Sequence, residues 1–336
     1  MRVCNIGGQG VLEGVMMRST HTSALAVRKA SGEIVLKKTP FVSKTKTNKF
    51  YKLPIIRGVV SFVEMLKMGV GTISDSATMY DETVENEQPS KFEAFLAQKL
   101  KLNPMDVMMF FAVLMAIGFS VLLFFIVPNV ITKYVSTHVA STFLKNLIEG
   151  GIRILIFILY IVSITFIKDI KRLFMYHGAE HRVINCYEHE KELTVENAQG
   201  FTTLNPRCGT SFMLIVMVVA VIVFSFFGWS EQWYYRVGLR LALLPLVAGI
   251  SYEVLKLLAK SENIFVKILR APGMSLQYLT TKPPTDDMTE VSMLAFRAAE
   301  GVFNDEELEA MRVEFSHGAV KTETEESIPA GELQDA

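Results

Sequence analysis

The sequence predicts a mainly α, polytopic membrane protein with about four transmembrane helices plus a small cytoplasmic α+β N-terminal region. Three observations carry this expectation. Half of the 336 residues are hydrophobic, only 20% are charged and the mean hydropathy is positive, a balance that argues against a wholly soluble chain. From Val107 onward, apolar runs recur at about the 20 residues needed to cross a hydrocarbon layer. Lysine and arginine gather at alternate ends of those runs, which selects one topology.

At the start of the chain, NIGGQGVLEGVMMRS is glycine-rich but lacks the Gly-Lys-Ser/Thr of a P-loop, and Glu13 stands where a dinucleotide fingerprint has its third glycine. A tight turn leading into a short helix is expected there, with Gly7, Gly8 and Gly10 letting the backbone approach a neighbouring group. SALAVRKASGEIVLKKTPF alternates about Ser31-Gly32 and predicts a β-hairpin. Pro54 then opens a helix whose Ile56, Val60, Val63, Leu66 and Val70 keep helical spacing. That helix is expected to lie on a membrane face or to pack on the hairpin. The acidic stretch from Asp81 to Ser90 predicts a linker.

The first span is predicted at 107–127, without a charge. A second, 147–167, carries Glu149 and Arg153 near its start, where their side chains can snorkel to an interface. A third, 211–229, ends in Trp229, and a fourth, 237–258, contains Arg240, Pro245 and Glu253. Lys99, Lys101, Lys168, Lys171, Arg172, Arg182, Lys256, Lys260, Lys267 and Arg270 share one side, against Lys133, Lys145 and Arg236 on the other. The N-terminal region, the central loop and the C-terminal region are therefore expected in the cytoplasm. Thr285 to Phe315 predicts one or two amphipathic helices, and KTETEESIPAGELQDA an acidic, disordered tail. The expected organisation is an α+β region over 1–90, a four-span membrane domain over 91–270 with a central cytoplasmic loop at 168–210, and a cytoplasmic segment with its tail over 271–336.

Composition removes several function classes. Lysine plus arginine equals aspartate plus glutamate at 34 each, so no basic excess points to nucleic acid as a partner. Cys4, Cys186 and Cys208 are too few for a disulfide framework and read as reduced cytosolic thiols. MRVCNIGGQG lacks the basic start followed by an apolar stretch that a secretion signal needs.

The chemistry concentrates in HGAEH, His177 to His181. It fits H-x-x-E-H, in which two histidines on one helical face bind zinc and the glutamate serves as base. Spacing of four places both imidazoles on one face. Gly178 opposes this, because a glycine there can instead end the helix as its left-handed cap, and the histidines then diverge. Zinc with an open position takes three protein ligands, and the downstream candidates are Cys186, Glu188, His189, Cys208 and Glu253. Cys208 enters the third span in PRCGTS, and Glu253 lies one turn inside the cytoplasmic end of the fourth. A thiolate suits zinc at the first position, where a neutral buried thiol is the alternative. A carboxylate at the second must be paired, protonated or coordinating, and Lys256 is its nearest sequence partner. His189 reads as a surface imidazole. Glu13 and Arg18 are polar contributors from the glycine-rich start.

GGQGVLEGVMMRS, LPIIRGVVSFVE, YHGAEHRVINCYE and NPRCGTSF together resemble the DUF1385, or YqhQ-like, family of bacterial membrane proteins, described as predicted metal-dependent enzymes. The resemblance runs from about Cys4 to about Met274. It carries Gly8, Gln9, Glu13, Arg18, His177, Glu180, His181, Cys186, Glu188, Arg207 and Cys208 into the family pattern. Two positions depart from it: Gly10, commonly alanine, and Asn205, where a histidine often precedes Pro-Arg-Cys.

Two functions follow as expectations. In the first, a divalent metal, zinc foremost, is held at the inner face of a bacterial cell membrane by His177 and His181 with Cys208 or Glu253, and Glu180 acts as the catalytic base of a hydrolase. In the second, the chain is a non-catalytic membrane scaffold with a structural metal, presenting its cytoplasmic regions to a protein partner. A small transporter is the weaker third, since the first and third runs hold no ionisable residue. The lipid bilayer is a partner under all three.

Overall fold

The computed structural model describes residues 4–80, 104–135, 137–227, 232–258 and 263–326. Its chain is mainly helical, with one four-stranded antiparallel meander at the N-terminus, in the order β1 (Gly7–Val11), β2 (Gly14–Arg18), β3 (Thr22–Arg28) and β4 (Ile34–Pro40). The β3–β4 hairpin forms as the alternation predicts, its turn closed by Gly32 at φ 84°. The expected short helix after the glycines is instead a second hairpin, with Gly8 opposite Met17 and Gly10 opposite Val15. Leu12 and Glu13 make its turn, and Glu13 takes the left-handed region at φ 46°.

The reason for this difference is two-sided burial. Val15, Met17, Ala24, Ala26 and Ile34 enter one core, while Val11, Met16, Leu25 and Val27 enter another on the opposite face. A strand apolar on both faces shows no period of two, so GVMMR gives no alternation to read.

Helices α1 (Lys44–Thr47) and α2 (Ile56–Tyr80) follow the sheet. Pro104–Val121 (α3) passes through a π turn, Leu122–Ile126, into α4 (Val127–Val135), and α5 spans Thr142–Ile164. Next come α6 (Lys168–Glu188), α7 (Val195–Gln199), α8 (Gly209–Ser225), α9 (Trp233–Leu258), α10 (Ile264–Thr280), α11 (Asp286–Glu300) and α12 (Asp305–Glu326). Among the described residues, three helices are by length and composition long and apolar enough to cross a membrane: Val107–Val135, Thr142–Ile164 and Tyr234–Leu258. The expected third span is α8, an apolar helix of 17 residues. Trp229 and the acidic 81–90 segment lie outside the described residues. Helix α12 runs to Glu326, into the segment expected as a disordered tail, and 327–336 lie outside the described residues.

The largest core unites distant parts of the chain. One face of the sheet packs on α6 and α11, with Tyr176, Val183, Val291, Leu294 and Phe296 almost fully buried. Helix α2 covers the other face through Met68, Met79 and Tyr80. Arg28 ties strand to helices, pairing with Glu290 at 2.9 Å and donating to the carbonyls of Asp287 and Phe315.

Glu149 and Arg153 do not snorkel. They are 1% and 6% exposed and pair with each other at 3.0 Å between the apolar helices. Arg240 of α9 pairs with the same Glu149 oxygen and donates to Asn146. Arg153 also donates to the Phe124 carbonyl at 2.8 Å. That carbonyl sits four residues before Pro128, which has no N–H to give it. Packing therefore outweighs snorkelling: the pair satisfies groups that the bundle would otherwise bury alone.

Candidate metal centre

His177, Glu180 and His181 lie on one face of the continuous helix α6. Gly178 sits inside that helix and does not end it. A Cβ at Gly178 would overlap the Lys282 carbonyl oxygen. Lys282 crosses the helix there, its N–H donating to the Phe174 carbonyl at 2.9 Å. Gly10 has a matching role on the β1 side, since a Cβ there would lie 2.6 Å from the Leu173 oxygen and 2.7 Å from the His177 nitrogen. Both glycines let backbone press against the helix turn that carries His177.

The two imidazole rings converge, with centroids 4.5 Å apart. Each is oriented by a backbone carbonyl: His177 Nδ1 meets the Thr280 oxygen at 3.0 Å, and His181 Nδ1 meets the Thr203 oxygen. A carbonyl only accepts, so Nδ1 carries a proton on both rings, and Nε2 is the nitrogen with a lone pair to offer whenever the ring is neutral. This is the outer-shell arrangement by which proteins aim histidine at a metal.

Cys208 supplies the third donor. Its Sγ lies 3.2 Å from His177 Nε2. The ligand atoms of His177, His181 and Cys208 all fall within 4.8 Å of one another, a spread able to hold one ion at metal–nitrogen distances near 2.0–2.1 Å and a metal–sulfur distance near 2.3 Å. Cys208 is the N-cap of α8 and accepts from the Thr210 N–H at 3.4 Å. The loop that delivers it is set by Gln277, which accepts from the Asn205 N–H at 2.8 Å and donates to the Asn205 carbonyl at 2.7 Å. Asn205, the departure from the family pattern, thus shapes the loop through its backbone, and its Oδ1 accepts from the Arg207 N–H at 2.9 Å.

Glu180 is 4% exposed. Its Oε1 accepts the Gly8 N–H at 2.9 Å, while Oε2 has no hydrogen-bond partner and lies 3.8 Å from His177 Nε2. Burial pushes its carboxyl above the usual carboxylate range, against the opposing pull of His177 and of the Gly8 N–H.

The other sequence candidates stand elsewhere. Glu253 does not join the cluster: both of its oxygens engage Arg57, and Lys256 is not its hydrogen-bond partner. Arg57 sits just after Pro54, so a contact between α2 and α9 decides this pairing. Glu188 pairs with Arg207 and accepts the Cys4 N–H at 2.8 Å, which straps the N-terminal segment onto α6. Arg207 also donates to the Cys4 carbonyl at 3.1 Å. Cys186 is buried in the core with its thiol toward the Glu192 carbonyl, and burial pushes that thiol up. Glu13 pairs with Arg172 and accepts from the Tyr176 hydroxyl at 3.2 Å. Arg18 rests on the Phe41 ring and near Met68. His189 is exposed, as expected. The Thr203 and Thr280 carbonyls and the Gly8 N–H are backbone groups, which leave no residue-type signal in the sequence.

Comparison with known proteins agrees with the motif resemblance. A family described as "Protein of unknown function (DUF1385)" matches residues 53–302. The chain is 36% identical over 297 residues to the "Uncharacterized protein YqhQ" of Bacillus subtilis (strain 168), covering 86% of this chain and 90% of that relative. No solved structure matches it. The chain belongs to the DUF1385 family.

Proposed function

We propose that this protein is a multi-pass membrane protein of the bacterial cell membrane that holds a divalent metal, zinc foremost, at its cytoplasmic face and acts there as a hydrolase. The observation that carries the proposal is the convergence of two carbonyl-locked imidazoles and a thiol, with each Nε2 left to coordinate. A nitrogen, nitrogen, sulfur donor set suits zinc. The three long apolar helices support the membrane reading, and the lysine and arginine bias supports cytoplasmic N- and C-termini. Bound there, zinc would act as a Lewis acid and shift the ionisation of water toward neutrality. Glu180 supplies the base: Gly8 fixes one oxygen, and the other takes a proton from water, aided by a basicity raised by burial.

Burial favours a second reading. His181 is 1% and Cys208 7% exposed, so Glu180 Oε2 can complete a closed, four-donor structural zinc site in a scaffold that binds a protein partner through its cytoplasmic regions.

Metal analysis of the detergent-purified chain tests both. About one zinc per chain is expected, falling to near zero in His177→Ala and His181→Ala. Glu180→Gln separates the readings: a base variant keeps its metal and loses cellular function, whereas a ligand variant loses the metal. An unaltered metal content in both histidine variants would end the proposal. Because Cys186 is buried, topology is better read from a cysteine placed at Phe50, which is 59% exposed. Labelling of that cysteine from outside intact cells would reverse the orientation.

A further inference from the structure

Helix α2 is built inside out for a helix in water. It buries Gly58, Thr72 and Ser76 and exposes Val63, Leu66, Val70 and Ile73 at 57%, 52%, 39% and 51%. Those four positions keep a spacing of three and four and form one stripe. A helix that buries small and polar residues while presenting a stripe of large aliphatics matches a solvent less polar than water on its outer side.

The segment leading into α2 adds charge to that surface. Between Glu33 and Glu64 the chain holds seven lysines and arginines, Lys37 through Arg57, and no aspartate or glutamate. Lys37 pairs with Asp75, Lys38 with Asp305 and Arg57 with Glu253. Lys46, Lys49 and Lys52 are exposed and make no ion pair among the described residues. Exposed apolar side chains alternate with them: Val42 at 60%, Phe50 at 59% and Leu53 at 47%.

This segment is anchored at both ends. Glu64 accepts from the Ser43 hydroxyl and the Lys44 N–H, each at 2.7 Å, which holds α1 on α2. At the other end Ile55 takes φ 68° and lies against Gly249 of α9, where a Cβ would meet the Ile55 oxygen at 2.7 Å. A β-branched residue in that region is strained, and the packing on α9 sustains it. The segment therefore ends against the C-terminal half of α9, a helix of membrane length.

We propose that the Lys44–Lys52 segment and the outer face of α2 form a platform that binds anionic lipid headgroups at the membrane surface. Lysines meet the headgroup charge, and Phe50, Leu53 and the α2 stripe enter the acyl boundary. The proposal rests on the membrane reading above and is independent of the metal.

The test uses the full chain with Phe50→Cys carrying bimane, since the native thiols are buried. It is reconstituted into nanodiscs of phosphatidylcholine, with and without phosphatidylglycerol. Phosphatidylglycerol should shift the emission to the blue, and high salt should reverse the shift. Titrated with short-chain phosphatidylglycerol, the Lys46→Gln/Lys49→Gln/Lys52→Gln variant should bind more weakly by roughly fivefold per lysine removed. Identical emission in the two nanodiscs, an unchanged affinity of the variant, or an equal response to a single-stranded RNA would overturn the proposal. A chain that never enters nanodiscs would overturn the membrane reading as well, a result visible by co-elution before any emission is read.

Discussion

Two side-chain pairs, each four residues apart on a helix, end in opposite states. Glu149 and Arg153 on α5 pair at 3.0 Å, with Arg240 on the same Glu149 oxygen, Oε2 without a hydrogen-bond partner, and the Phe124 carbonyl taking a second Arg153 donor. His177 and His181 on α6 spend their Nδ1 protons on carbonyls and turn both Nε2 atoms toward each other and toward a thiol. The first pair satisfies groups already in the chain; the second leaves donors that a cation would satisfy. Identical spacing therefore says only that two side chains share a face, and the partners on neighbouring elements decide whether the pair is a strut or a binding site.

Breaking the strut should give the largest effect on stability. Glu149→Gln leaves Arg153 and Arg240 buried without their counter-charge, and a loss of about 3–5 kcal/mol is expected. Thermal unfolding of the detergent-purified chain checks this, and a melting temperature equal to that of the parent would refute the strut. Chelation sharpens the comparison: it should lower the melting temperature of the parent and of Glu149→Gln by similar amounts, because the two clusters share no partner. A strongly non-additive response would mean that the clusters are coupled.

Gly178→Ala should come next. The added methyl meets the Lys282 carbonyl, and overpacking of this kind costs about 1–3 kcal/mol against a gain in helix propensity of about 1 kcal/mol. Since the displaced strand of backbone follows Thr280, which orients His177, metal affinity should fall along with stability; an unaltered affinity would separate the crossing from the site. The smallest effect is expected at Gly301, which caps α11 at φ 75° with nothing within 4 Å of a Cβ. Gly301→Ala should cost about 1 kcal/mol from backbone strain alone and leave the metal content unchanged, as equilibrium unfolding and metal analysis would read.

Much of this was legible in the residues. The apolar runs, the hairpin at Gly32, the helix after Pro54 and the candidacy of His177, His181 and Cys208 as metal donors follow from hydropathy, turn chemistry and donor type. The β1–β2 hairpin was not, because its strand is buried on both faces and carries no alternation. Helix α10 was not singled out either: its Ile264, Phe265, Ile268 and Leu269 are exposed while Gly273 and Gln277 are buried, which inverts the usual amphipathic pattern. The pairing of Glu253 with Arg57 was not legible, because Arg57 lies far from it in sequence.

By itself the sequence determined which segments are helical and apolar, where charge is absent, and which few side chains have the chemistry to hold a cation. Those properties are local, set by each residue's own hydration and donor atoms. Only the tertiary structure decided that Glu149 is a strut, that Glu253 belongs to Arg57, and that the carbonyls of Thr203 and Thr280 aim two imidazoles at one point. These depend on backbone groups and distant partners, whose positions no single stretch of chain encodes.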